Sequence, residues 1–295
     1  MKMIPQVTCR FKANFVPGVL LAVGFLLFGI SSLPAHGQDL GVSVSPKRVV
    51  FEGRQRNVEV TLLNKSNKAV TYRVFFKNMR MKEDGSFEII ESAQVNEKFS
   101  EPLIRYSPRQ ITVPARGSQS VRLLLRKPRD LPPGEYRSHL FFQSLPPPDT
   151  GKDINSDSSG KGELKIQLVA ILSLSIPIIV RNGDLSADVE LSNLVFKSAE
   201  AENVLPTLSA DLNRKGDRSV FGDVHVIFKP AQGPHLTLAE MKGLSVYTPN
   251  PTRKLEIPLT IPDKQQLQHG NLYVFYREPE DAGGAILAKA KMPVP

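Results

Sequence analysis

The sequence predicts an all-β protein built from two β-sandwich domains. Short runs of alternating apolar and polar residues recur along most of the chain, and turn residues separate them at intervals of about 8 to 12 residues. The chain carries 24 prolines and shows no convincing amphipathic helix. A length of 295 residues with 41% hydrophobic residues suffices for two domains with cores of their own.

The first 37 residues have the layout of a secretory signal peptide. Three basic residues precede an apolar run over residues 15–33, and small residues stand at Ala35 and Gly37. We expect cleavage here, with an uncleaved membrane anchor as the alternative. The only cysteine, Cys9, lies in this segment, so the mature chain would have no thiol for a disulfide, a nucleophile or a metal site. Its net charge would be +6, from 35 basic and 29 acidic residues.

The first predicted domain spans residues 38–182 and contains about seven short strands. Its strand-like stretches are 42–51, 56–64, 69–78, two strands within 109–127 that meet at Pro114–Gly117, and 131–145. A polar loop rich in Gly, Ser, Asp and Pro follows at 146–162. Strands of this number and length favour an antiparallel sandwich of the immunoglobulin type.

The last strand of this domain has the longest alternation in the sequence. In ELKIQLVAILSLSIPIIVRNG, residues 163–183, every even position from Leu164 to Val180 is apolar. A period of two predicts a strand rather than a helix. A long apolar strand of low charge is an aggregation hazard if it lies at a sheet edge, so the sequence raises the question of what covers it.

The second predicted domain spans residues 183–295 and shows the same pattern of short alternating stretches separated by turn residues. The stretch RNGDL, residues 181–185, breaks the alternation and marks a plausible boundary. The strand-like stretches beyond it are 186–196, 205–230, 242–261, 271–278 and 285–294. We expect another β-sandwich.

The sequence carries no recognisable catalytic motif. It lacks G-x-S-x-G, H-E-x-x-H, G-x-x-x-x-G-K-[ST] and G-x-G-x-x-G. The histidines beyond the signal are solitary, which favours packed or solvated side chains over metal ligands: His139, His225, His235 and His269. We therefore expect no enzyme, metal, cofactor or small-molecule substrate, while a triad assembled from distant residues stays open. The basic residues are dispersed among acids, which argues against a nucleic-acid partner.

Three stretches together resemble the PapD-like periplasmic chaperones of the chaperone–usher pathway. GVSVSPKRVVFEG, residues 41–53, is similar to the first strand of that family, where an arginine precedes an apolar–aromatic pair. Residues 106–148 are similar, with small differences in spacing, to its I-x-P-x-x-x-Q-x-V-R strand and the following L-P-x-x-x-E segment with a final P-P. The long strand takes the place of the family's G1 strand. In the second domain only the general pattern of short strands separated by turns is similar to the family.

The resemblance implies two immunoglobulin-like domains set at an angle and an ATP-independent chaperone in the periplasm. In this family the G1 strand lends alternating apolar side chains to a pilin-like, immunoglobulin-like subunit that lacks a strand, and an outer-membrane usher is the second partner. By position, the implied donor residues are Leu164, Ile166, Leu168, Ala170 and Leu172, of which Leu164 is the weakest candidate. The alternative is that these side chains fill the protein's own core.

The family also holds the terminal carboxylate of its subunit with two basic residues. Arg48 matches the arginine of the first strand, and Arg181 matches an arginine near the end of G1. The lysine of the family falls on Pro177, which has neither charge nor N–H. The implied anchor is therefore Arg48 with Arg181, unless another basic residue substitutes or the branch is divergent. The rival interpretation is a structural or adhesive exported β-sandwich protein, whose long strand pairs internally.

Overall fold

A computed structural model describes residues 41–146, 170–198, 205–261, 267 and 269–294. In these ranges the protein is all-β, which confirms the predicted fold class, and it has only two short 3₁₀ helices beside its strands. The predicted signal peptide and most of the predicted loop 146–162 lie outside the described residues. Among the described residues, no helix has the length and apolar character that crossing a membrane requires.

The first sandwich is built from ten strands in two sheets. Its strands are β1 (Val42–Ser45), β2 (Val49–Phe51), β3 (Asn57–Asn64), β4 (Val70–Met81), β5 (Phe87–Ile90), β6 (Ile104–Ser107), β7 (Gln110–Val113), β8 (Ser118–Leu125), β9 (Gly134–Ser144) and β10 (Ser173–Asn182). The smaller sheet has the order β1-β3-β8-β6. The larger sheet has the order β2-β10-β9-β4-β5, and β7 also pairs with β4.

The predicted strand 42–51 is two strands that lie in different sheets. β1 pairs antiparallel with β3, whereas β2 pairs parallel with β10, so the chain crosses from one sheet to the other at Pro46–Arg48. Pro46 lacks an N–H and cannot continue a ladder, which accounts for the break. The crossing brings Arg48 onto the larger sheet beside β10.

The alternation of each strand divides its side chains between the core and the opposite face. Along β10, Ile176, Ile178 and Val180 belong to the first apolar core. Along β9, Tyr136 belongs to the same core, and its hydroxyl donates to the carbonyl of Pro132 at 2.9 Å. Such a hydrogen bond back to the chain just upstream is a feature of immunoglobulin-like sandwiches.

The second sandwich has its own core and two antiparallel sheets. Its strands are β11 (Ala187–Lys197), β12 (Thr207–Gly216), β13 (Val220–Pro230), β14 (Leu236–Val246), β15 (Thr252–Pro258), β16 (Gly270–Arg277) and β17 (Ile286–Val294). The sheet orders are β11-β12-β15 and β14-β13-β16-β17. The exact domain boundary at residues 182 and 183 stays a prediction.

A third, small apolar cluster joins the two sandwiches. It consists of Met81 from β4, Ile179 from β10 and Tyr247, which follows β14. The side-chain amide of Asn250 donates to the carbonyl of Met81 at 2.6 Å, and the backbone N–H of Lys254 donates to the carbonyl of Glu83 at 2.7 Å. These contacts hold the β4–β5 hairpin, which the sequence did not predict, against the second sandwich.

Candidate functional site

Half of β10 presents an unpaired edge. β10 pairs with β9 along its whole length, from Ser173 to Asn182. It pairs with β2 only at residues 178–180. Among the described residues, Ser173–Pro177 therefore has a ladder partner on one side only. An open edge of this kind is a template on which another strand can add.

The backbone groups that point out of this edge can be identified. The N–H of Leu172 donates to the hydroxyl of Ser144 at 2.8 Å, and the N–H of Ser144 donates to the carbonyl of Leu172 at 2.8 Å. In an antiparallel ladder, residues at even spacing from Leu172 keep this orientation and the odd ones point the other way. The N–H groups of Ser173 and Ser175 therefore point outward, and Pro177 has none to offer.

The predicted donor residues fall partly outside the described chain. Leu164, Ile166 and Leu168 lie among residues for which no placement is described. Ala170 is exposed, and Leu172 is half-buried and packs against the first core. Leu172 therefore has the contact that the core-filling alternative requires. Its donor role stays a prediction.

Ionisable residues alternate along the outer face of β9, which is the face turned away from the first core. Glu135, Arg137 and His139 are all buried there. In sequence they stand as polar residues at a period of two within the apolar strand GEYRSHLFF. That signal was available before the structure, although the sequence could not show which strand lies beside them.

Arg181 is neutralised within the protein. Its Nε donates to Glu135 at 3.0 Å, its Nη1 donates to Glu52 at 3.0 Å, and its Nη2 donates to the carbonyl of Ser219 at 3.3 Å. Glu135 also accepts the N–H of Ser219 at 3.1 Å and the hydroxyl of Thr248 at 3.4 Å. All three nitrogens of Arg181 are engaged, so its predicted anchor role would require these bonds to rearrange.

Unlike Arg181, Arg48 has guanidinium nitrogens that are not hydrogen-bonded. It is half-buried, and its guanidinium lies over the ring of Phe221 at 4.7 Å from the centroid. Its Nε and Nη2 are buried and have no hydrogen-bond partner. Burial lowers the pKa of Arg48, and nearby Arg181 lowers it further. Buried donors are almost always satisfied in proteins, so this group has capacity for a ligand.

Arg137 also has buried nitrogens without a hydrogen-bond partner and an aromatic ring beneath its guanidinium. The sequence analysis did not identify this residue. It is 8% exposed and lies over the ring of Tyr247 at 4.4 Å from the centroid. Its Nε and Nη1 are buried without a hydrogen-bond partner. Burial is also the main cause that lowers the pKa of Arg137.

His139 makes folding sensitive to acid. Burial and nearby Arg137 lower its pKa to about 3, so the folded protein keeps the imidazole neutral. The unfolded chain binds the proton near pH 6.5, so stability is complete above that pH and falls as the pH drops toward 3. We expect the wild type to lose about 2 kcal/mol between pH 7 and pH 5 relative to His139→Leu. Urea unfolding of both proteins at the two pH values measures this difference; equal losses would contradict it.

Within the described ranges, no group of three or more His, Cys, Asp and Glu side chains is arranged to hold a metal ion. No protein-family model matches the sequence, and no curated protein matches it either.

Solved structures of chaperones are similar to most of this chain. The YadV chaperone is 12% identical, with 86% of this chain and all of that chain covered at a TM-score of 0.42. The CupB2 chaperone of Pseudomonas aeruginosa is 13% identical, with 85% and 98% of the two chains covered at a TM-score of 0.41. A complex of the Salmonella enterica SafA pilin with the SafB chaperone gives 11% identity, 86% and 96% coverage and a TM-score of 0.39.

The similar structures also include a fimbriae chaperone, CfaA, and a periplasmic chaperone, SfaE.

Proposed function

We propose that this protein is a periplasmic, ATP-independent chaperone that binds incomplete immunoglobulin-like subunits. The open edge of β10 at Ser173–Pro177 is the observation that carries this proposal. A client that lacks a strand exposes both its core and a sheet edge, and it would aggregate unless another chain supplies the strand. An added strand satisfies the client's backbone groups, and alternate side chains fill its pockets.

The residues that lead into this edge carry the longest apolar alternation in the sequence. Their even positions supply the proposed donor side chains, from Leu164 to Leu172. Delivery of the client to an outer-membrane usher belongs to the same proposal, as does export by the amino-terminal segment. Both follow from the sequence resemblance.

Arg48 is proposed to bind a carboxylate of the client. It lies next to Val49, which pairs with Ile178 just beyond the open edge. A client strand that pairs with that edge parallel to β10 would bring its carboxyl end to the guanidinium. Arginine grips a carboxylate with two parallel hydrogen bonds, which a lysine cannot do.

The direct test is a pull-down with the tagged mature protein from the periplasm of its native host. We expect a stoichiometric partner with an incomplete immunoglobulin-like sequence, identified by mass spectrometry. A monodisperse protein that recovers no such partner would instead favour the structural or adhesive alternative.

Substitution of Arg48 by alanine should leave the protein folded and cripple client capture. Loss of one partner from a buried charged pair costs about 2 kcal/mol or more, which corresponds to at least about 30-fold weaker binding. The unfolding midpoint should change little, since two of the removed donors have no partner in the free protein.

Arg54→Ala is the matched control, because Arg54 is an exposed arginine on the same segment. Client recovery and thermal unfolding of both variants are compared with the wild type. Recovery by Arg48→Ala at the level of Arg54→Ala would refute the anchor role.

A further inference from the structure

Arg137 places a positive charge inside the protein, and among the described residues no acid forms an ion pair with it. Its side chain is more than nine-tenths buried, and its Nε and Nη1 have no hydrogen-bond partner. Arginine stays charged at any physiological pH. Because a buried charge without hydrogen bonds is costly, this guanidinium favours a ligand that accepts them.

A small cavity lies beside Arg137, where the two sandwiches meet. Its volume of about 10 Å³ suffices for one water-sized ligand, but not for a carboxylate together with the chain that carries it. The residues that line the cavity are Met79, Glu97, Lys98, Phe99, Arg137 and Thr248. Thr248 belongs to the second sandwich and the others belong to the first.

The guanidinium of Arg137, rather than its aliphatic stem, lies near the walls of this cavity. It is stacked over the ring of Tyr247, which is the chain neighbour of the lining residue Thr248. Arg80 is the main cause that lowers the pKa of Glu97, and the charge of Arg137 lowers it as well. The ring contacts the flat face of the guanidinium, so the N–H groups in its plane stay free for a ligand.

The cavity is separate from the open edge of β10. The backbone N–H of Arg137 donates to the carbonyl of Lys98 at 2.8 Å, so residues 97–99 run beside β9 on the side opposite to β10. Met79 comes from β4, which also pairs with β9 on that side. A client strand that pairs with the edge of β10 therefore does not reach the cavity.

Positive charge is in excess around the cavity. Glu97 is the only acid among the described residues that line it, and its two oxygens accept from Arg80 at 2.6 and 2.9 Å. Lys98 donates its Nζ to the uncharged carbonyl of Pro133. Arg80 and Glu97 therefore cancel each other, whereas Lys98 and Arg137 keep two positive charges.

Glu135 does not remove this excess. It stands two residues before Arg137 on β9, and it accepts hydrogen bonds from Arg181, Ser219 and Thr248. None of its hydrogen bonds comes from Arg137. Its charge is balanced by Arg181, which leaves the donors of Arg137 available.

We propose that the cavity beside Arg137 binds one small monovalent anion, and that chloride is this anion. The excess of positive charge favours an anion over a water molecule, and the volume excludes a carboxylate or a phosphate. Because Tyr247 and Thr248 come from the second sandwich, the bound anion stabilises the contact between the two sandwiches. This site goes beyond the proposed function and does not depend on it.

The first test locates the ligand by crystallography of the mature protein. Crystals grown in sodium chloride are measured with long-wavelength X-rays, at which chloride gives an anomalous signal and water gives none. We expect an anomalous peak in the cavity, next to the guanidinium of Arg137. Ordered density without an anomalous peak would identify a water molecule and overturn the proposal, as would an empty cavity.

The second test asks whether chloride binds in solution. Thermal unfolding is followed in sodium chloride and in sodium gluconate at equal ionic strength, because gluconate is too large for the cavity. We expect a midpoint about 2 to 4 °C higher in chloride, at concentrations several times the dissociation constant. An anomalous peak without this difference would mean an adventitious ion only, and the proposal would fail.

Arg137→Met should abolish the difference between chloride and gluconate, whatever its effect on stability itself. Arg137→Gln replaces it if the methionine variant does not fold. Arg109→Met is the matched control, because Arg109 also lies over a tyrosine ring, that of Tyr106, but is exposed. We expect Arg109→Met to keep the full chloride effect. A chloride effect of equal size in the Arg137 and Arg109 variants would show that chloride acts elsewhere and would refute the site.

Discussion

Replacement of Glu135 by alanine is expected to lower the free energy of unfolding by about 3 to 5 kcal/mol. The Glu135 side chain is 0% exposed, and it accepts hydrogen bonds from Arg181 of the first sandwich and from Ser219 and Thr248 of the second. Its removal leaves a buried guanidinium with a single acidic partner and an N–H of Ser219 with none. The carboxylate therefore contributes to the folding of each sandwich and to their contact.

Glu52→Ala is the matched control for this prediction. Glu52 contacts the same guanidinium at 3.0 Å, but its side chain is 54% exposed, and an exposed ion pair contributes about 1 kcal/mol or less. Urea unfolding of the mature protein compares the two variants with the wild type. If Glu135→Ala cost no more than Glu52→Ala, the buried network would not be the source of stability that we infer.

Replacement of both Ser173 and Ser175 by proline is expected to weaken client capture about 5- to 150-fold. The substitutions remove two outward N–H groups, each of which contributes about 0.5 to 1.5 kcal/mol when it binds a client strand. The ladder with β9 should survive, because these N–H groups point away from it. Pro177 already occupies an equivalent position in the same strand.

The serine-to-alanine double variant separates the backbone from the side chains. It removes the same hydroxyl groups but keeps both N–H groups, so capture should remain near the wild-type level. Circular dichroism and thermal unfolding confirm that each variant is folded before the pull-down. Equal capture by the proline and the alanine variants would show that the edge of β10 does not pair with the client.

The alternation of side chains predicted the fold class because each strand buries one face. The same pattern could not predict the break at Pro46–Arg48, since both halves of residues 42–51 alternate and only their partners differ. It also missed β5, whose four residues pair with the end of β4 and leave Ile89 exposed. Short strands at the surface have too few buried positions to give a clear period.

The sequence identified Arg48 and missed Arg137, although both arginines have buried nitrogens without a hydrogen-bond partner. Arg48 stands in a motif that can be compared with a known family. Arg137 is one basic residue among many, and its importance depends on the pairing of β9 with β10 and on Tyr247 from a distant part of the chain. The anchor role of Arg181 stays a prediction, and the sequence could not show that Glu135 lies opposite Arg181 in the ladder.

Pro177 gives the open edge a fixed length. A guest strand that adds alongside β10 finds its last outward donor at Ser175, because Pro177 has no N–H and β2 occupies the edge from Ile178 onward. The pairing of such a guest would stop there, next to Arg48. Pro177 and β2 would thus limit how far a guest strand can pair along β10, whatever the identity of its side chains.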